Sequence, residues 1–121
     1  DGKICVVTGG SRGIGRGICE VFQREGGKVV LTDIDVEEGQ SAAKAIGCEF
    51  IELDVRKESD WQRLAEAYPA IDVLVNNAAG NFIAKTETLS HRAVDSVLGI
   101  VLHGTAYCTL AAGRAARRWF V

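Results

Sequence analysis

The sequence predicts an α/β fold, a doubly wound parallel sheet with helices on both faces, and three observations carry that expectation. Four short apolar runs rich in β-branched residues, at 3–8, 28–32, 48–53 and 71–76, recur about every 20 to 25 residues. The segments between them have helical periodicity: Ile14, Ile18, Val21 and Phe22 share one face of the first, and Leu64, Ala65 and Tyr68 one face of the third. The strand centres "CVV", "VVL" and "VLV" are continuously hydrophobic, as strands covered on both faces require. Strands alternating with helices in this way pair in parallel through right-handed crossovers, and the expected strand order is 3-2-1-4.

Each element has its own signal. The first strand runs into "VTGGSRGIG", residues 7–15, which opens the first helix. The second strand ends at Asp33, and Asp35, with Glu38 three residues on, has the capping-box spacing of a second helix. Ser59 with Gln62 repeats that spacing and predicts the start of the third helix. Beyond the fourth strand, residues 77–88 read as a loop, and a long helix capped by Ser90 is expected to run toward Trp119. Gly99 and Gly104 would weaken that helix, which predicts two pieces or a bend between them. Residues 1–121 read as one domain, without repeat, linker or low-complexity tract.

Composition narrows the function classes. A net charge of −2, from 14 Lys+Arg interspersed with 16 Asp+Glu, gives no electrostatic case for nucleic acid or an anionic membrane as partner. The four cysteines, Cys5, Cys19, Cys48 and Cys108, lack C-x-x-C spacing and are expected to be reduced, mostly buried thiols, with no metal site. No apolar stretch reaches the roughly 18 residues of a membrane span, and no targeting segment is visible, so a cytoplasmic location is expected.

The glycine cluster lies where chemistry is expected. Between a buried strand and an amphipathic helix, Gly9 permits a sharp exit, Gly13 removes a Cβ from the path of a phosphate, and Gly15 lets the helix pack close. Ser11, Arg12 and Ile14 line the same loop, and the helix N-terminus offers free N–H groups to an anion. Asp33, 18 residues beyond Gly15, is placed to accept from ribose hydroxyls, which favours NAD because a 2′-phosphate would meet its charge. Arg12 keeps NADP open as the alternative.

These residues resemble the short-chain dehydrogenases/reductases along the whole chain. Thr8, Gly9, Gly13, Ile14 and Gly15 match that family's T-G-x-x-x-G-I-G motif, Asp54-Val55 matches its D-V pair, and "NNAAG", residues 76–80, is similar to its N-N-A-G motif. The resemblance implies a Rossmann-type sheet, Asp54 and Val55 bordering adenine, and Asn76, Ala78 and Gly80 bordering the second ribose and nicotinamide. It also implies hydride transfer between nicotinamide and a carbonyl/alcohol or enoyl substrate, and a homo-oligomer, dimer or tetramer, built across the long helix. "NNAAGNFI" and Val101 are similar to the 2,4-dienoyl-CoA reductases, which implies an acyl-CoA substrate whose thioester carbonyl Asn81 contacts. Asp33 pulls the other way, since members of that subfamily mostly use NADPH and lack an acid there.

The family's acid–base pair, Tyr-x-x-x-Lys, is not among the 121 residues: Asp72 stands four beyond Tyr68, and Ala111 four beyond Tyr107. His91 and His103 read as ordinary helix residues. The expectation is the N-terminal part of a longer dehydrogenase, whose fourth strand would otherwise be an exposed edge. A trimmed dinucleotide-binding module and an assembly module are the alternatives.

Overall fold

The computed structural model describes residues 2–79, 90–113 and 119–120. In chain order the elements are β1 (Ile4–Thr8), α1 (Gly13–Arg24), β2 (Lys28–Asp33), α2 (Val36–Ile46), β3 (Glu49–Glu52) and α3 (Glu58–Ala67). They continue with β4 (Val73–Val75), α4 (His91–Leu98), a π-helical turn (Gly99–His103), α5 (Gly104–Gly113) and β5 (Trp119–Phe120). The strands form one parallel sheet in the order β3-β2-β1-β4-β5. The expected 3-2-1-4 order is therefore present, and β5 extends it. The long helix, expected to run toward Trp119, is described as far as Gly113, and Trp119 itself lies in β5. Trp119 pairs with Val73 and Phe120 with Leu74, which gives the backbone of β4 a partner where an open edge would leave its amides and carbonyls unpaired.

Two-residue alternation sorts the strand side chains onto the two faces of the sheet. Val6, Val30 and Leu74 join Leu53, Val55, Trp61, Leu64 and Ile71 in one core, with Ile100 and Tyr107 packed on its edge. Val7, Val29, Leu31 and Val75 join Cys19, Ala42 and Ala43 of α1 and α2 in the other. Trp61, absent from the expected face of α3, is 1% exposed and donates its indole N–H to the Val55 carbonyl at 3.0 Å.

Two helix assignments differ from expectation. Ile18 and Phe22 of the expected α1 face turn inward, together with Gly15 and Cys19, whereas Ile14 and Val21 are 79% and 43% exposed. The N-cap of α3 is Lys57, not Ser59: the Asp60 and Trp61 amides bond back to the Lys57 carbonyl, so the first turn closes before Ser59 can cap it. Asp35 and Ser90 cap as expected, accepting from the amides of Glu38 at 3.0 Å and Ala93 at 3.1 Å. The break between Gly99 and Gly104 is the π-helical turn. A Cβ on Gly104 would stand 2.6 Å from Val55 Cγ2, so its absence lets α5 lie against the segment after β3.

Cys5 and Cys19 are buried free thiols, and Cys48 is a half-buried one. Burial pushes the Cys19 thiol up to about 12 and raises the other two, so at neutral pH all three stay protonated and pack as small hydrophobes. Among the described residues no helix is long and apolar enough to cross a membrane, and no acidic, His or Cys cluster can hold a metal ion.

Candidate functional site

The sheet order reverses between β1 and β4, and the crevice of an open parallel sheet lies at the carboxyl ends of the strands beside such a reversal. A cavity of about 340 Å³ opens there. Its walls are Gly9, Arg12, Asp33, Ile34, Leu53, Asp54, Val55, Arg56, Asn77, Ala78, Ala79 and Ile100.

The glycine turn forms one end. Gly9 has φ +64° and Gly13 φ +61°, values an L side chain rarely adopts, and the space where a Cβ on Gly13 would stand is open. Arg12 occupies the N-cap of α1 without a side-chain cap bond, which leaves the first amides of the helix to solvent or a ligand. Gly15 is closely covered: a Cβ there would collide with the Gly9 carbonyl oxygen and lie 2.5 Å from Asn77 Nδ2.

Asn77 and Thr8 tie this turn to the end of β4. The Asn77 carboxamide donates to the carbonyls of Thr8 at 3.2 Å and Gly9 at 3.1 Å. The Thr8 hydroxyl accepts from the amides of Asn77 at 2.9 Å and Ala78 at 3.0 Å, and donates to the Val75 carbonyl at 3.3 Å. The backbone on both sides of the crevice is thereby held at fixed separation.

Asp33, at the end of β2, anchors the turn from the other side. Its Oδ2 accepts from the Ser11 hydroxyl and, at 3.2 Å, from the Ser11 amide, while Oδ1 accepts from the Asp35 amide at 3.1 Å. Arg12, the residue that keeps NADP open as the alternative, lies 3.7 Å from the Glu38 carboxylate. Asp54, 8% exposed, receives the Arg56 guanidinium in a two-point contact, Nε to Oδ1 at 3.0 Å and Nη2 to Oδ2 at 2.9 Å.

That contact holds the Asp54 carboxyl below its ordinary value; burial opposes the shift and is outweighed by Arg56. A carboxyl whose folded-state pKa is lowered stabilises the fold above its unfolded value, about 4, and loses that contribution as pH falls through the folded value. Asp54→Asn is therefore expected to lower thermal stability at neutral pH and to flatten the decline below about pH 4. Melting curves of both proteins across that range check this, and an unchanged acid slope would contradict it.

Of the residues singled out in the sequence, Gly9, Arg12, Asp33, Asp54, Val55 and Ala78 line the cavity. Ser11, Gly13 and Gly15 shape the turn behind it, and Ile14 projects into solvent from the start of α1. Asn76 is half-buried outside the lining, where its neighbour Asn77 stands instead. Gly80 and Asn81 lie outside the described residues. Arg56 and Asn77 escaped the sequence reading. The first was legible as a basic residue two beyond Asp54, and the second as the other half of the doubled asparagine.

A five-stranded parallel sheet that reverses beside a glycine-turned strand-to-helix loop, with its cavity at that reversal, defines a Rossmann-type α/β protein. The short chain dehydrogenase family model matches residues 3–118, and the chain belongs to that family. It is similar to the sorbitol dehydrogenase of Cereibacter sphaeroides, with 36% identity over 122 residues, covering 95% of this chain and 47% of that protein. The peroxisomal 2,4-dienoyl-CoA reductase of Arabidopsis thaliana is 36% identical over 113 residues, covering 86% of this chain and 38% of that one. A crystal structure of 3-ketoacyl-(acyl-carrier-protein) reductase from Brucella melitensis, complexed with NADH, superposes with a TM-score of 0.89 at 29% identity, covering 95% of this chain and 50% of that one. The chain thus spans half or less of the length of these proteins.

Proposed function

We propose that this chain supplies the dinucleotide-holding half of an NAD(H)-dependent short-chain oxidoreductase that moves hydride between nicotinamide and a carbonyl/alcohol or enoyl substrate. The observation that carries the reading is the cavity that joins the glycine turn, Asp33 and the Asp54–Arg56 pair at the carboxyl ends of the strands. The residues fit the group. Open space at Gly13, the positive φ of Gly9 and Gly13 and the uncapped start of α1 suit a pyrophosphate, with Ser11, Arg12, Ile14 and Gly15 completing that loop. Oδ1 of Asp33 keeps an acceptor position for a ribose hydroxyl after taking the Asp35 amide. Asp54 and Val55 border the base, and Ala78, with Asn76 and Gly80 around it in sequence, borders the nicotinamide side. A bound nicotinamide supplies the hydride; this chain's residues hold and orient the carrier. NAD is the cofactor favoured over NADP because the Asp33 carboxylate would oppose a 2′-phosphate, and Glu38, 3.7 Å from Arg12, competes for the one cation that would attract it.

A conjugated acyl-CoA is the second reading for the substrate, supported by "NNAAGNFI" and by the similarity to a 2,4-dienoyl-CoA reductase, with Asn81 as the thioester contact. Oxidation of NADH by the intact protein, followed with a 2,4-dienoyl-CoA and with a panel of ketones, separates the two. Turnover of a ketone without turnover of the thioester would reject the acyl-CoA reading, and turnover of neither would reject the reductase activity.

Val94, Leu98, Val101 and Leu102 leave an apolar face exposed on α4 and the π-helical turn, which supports a homo-oligomer assembled there. Sedimentation of the intact protein is expected to show a dimer or tetramer; a monomer at micromolar concentration would count against it.

A further inference from the structure

We propose that Arg63 is a latch on the open edge of the sheet: by holding the Glu52 carbonyl it keeps β3 from pairing with β3 of a second copy of this chain. The inference is independent of what the cavity binds. β3 ends the strand order, and among the described residues its strand partner is β2 alone. The backbone groups of successive strand residues point to opposite sides. The Leu53 amide donates to the Asp33 carbonyl of β2 at 3.0 Å, so Phe50 and Glu52 turn their N–H and C=O groups to the open side. Such a row is a template for another strand, and the side chains favour one, since Phe50 packs on one core and Ile51 on the other.

Two copies related by a two-fold axis at Ile51 would set Phe50 of one opposite Glu52 of the other, as hydrogen-bonded antiparallel pairs. Each Phe50 amide would then need the facing Glu52 carbonyl as its acceptor. Arg63 of α3 donates from Nη2 to that carbonyl at 2.7 Å. Its guanidinium thus stands within the roughly 4.8 Å that an added strand occupies. The head is held there from its own helix: Asp60 Oδ1 lies 3.5 Å from Nη2, while Oδ2 takes the Asp54 amide at 2.8 Å, which fixes the latch to the chain just beyond β3. Pairing would therefore break a charge-assisted bond in each copy or leave both Phe50 amides unmet. The Arg63 side chain is 58% exposed, so its removal unguards the edge without opening the core.

The test compares intact wild type, Arg63→Met, and Arg63→Met combined with Glu52→Pro, by sedimentation velocity across micromolar concentrations and by hydrogen exchange at the Phe50 amide. Methionine keeps an apolar stem and loses the donor. Arg63→Met is expected to form a species heavier than wild type does, and to slow exchange at Phe50 by about tenfold or more as that amide gains an acceptor. Proline at 52 removes an outward N–H without touching the ladder to β2, so the double variant should return to wild-type mass and wild-type exchange. Arg63→Gln, too short to reach the carbonyl, gives the same readouts if the Met variant does not fold. Wild-type mass and exchange in the Arg63 variants, or a heavier species that persists with proline at 52, would overturn the proposal. So would association with faster exchange at Phe50, because that is aggregation through unfolding.

Discussion

Gly15→Ala is expected to destabilise the protein by about 2 kcal/mol or more and to abolish measurable NADH binding, although alanine is the better helix former by up to about 1 kcal/mol. The added Cβ would collide with the Gly9 carbonyl oxygen, which is backbone, and crowd Asn77 Nδ2, which two hydrogen bonds hold in place. Relief requires α1 to move away from the turn after β1, which opens the Asn77 clamp and displaces the turn proposed to hold the pyrophosphate. Gly17, two residues on in the same helix, is the internal control. Nothing lies within 4 Å of a Cβ there, so Gly17→Ala is expected to raise stability by up to about 1 kcal/mol. Thermal and denaturant unfolding of the two variants should therefore shift in opposite directions. A Gly15→Ala protein as stable as wild type would mean that the close approach of α1 to the crevice is not a constraint of the fold.

Asp33→Ala is the second large effect, and it separates two roles of one carboxylate. The side chain anchors Ser11, so its loss loosens the turn toward any dinucleotide. In the proposed role it would also remove a charge-assisted acceptor from the ribose, worth roughly 1.5–3 kcal/mol, or about 10- to 100-fold in NADH affinity. Only the second role discriminates between cofactors, because repulsion of a 2′-phosphate disappears with the charge. NADH affinity should fall by at least tenfold while NADPH affinity falls less or rises.

The sheet was legible from the sequence because buried parallel strands carry a long, unbroken apolar signal, and all four runs are strands within one or two residues at each end. Asp35 and Ser90 were legible because a capping side chain is a local device. Ile14 misled because the inward face of α1 is led by Gly15, which has no side chain and so contributes nothing to hydrophobic periodicity. Ser59 misled for a related reason: its spacing to Gln62 is right, but Asp60 is drawn back to the Asp54 amide and the helix starts at Glu58. The two-residue β5 had no pattern of its own, since its pairing is dictated by the open side of β4. At the site, the glycines and aspartates showed through their spacing. Arg56 and Asn77 act through contacts that depend on the tertiary approach of β4 to the glycine turn, or on a guanidinium folding back over the residue two before it.

The crevice between β1 and β4 is proposed to hold NAD(H), with Asp33 at the ribose. That proposal is tested by the dissociation constants of the intact wild-type protein for NADH and for NADPH, measured side by side at the same ionic strength. NADH is expected to bind at least tenfold more tightly, with the gap closing in Asp33→Ala. NADPH binding to wild type as tightly as NADH, or no binding of either, would contradict it.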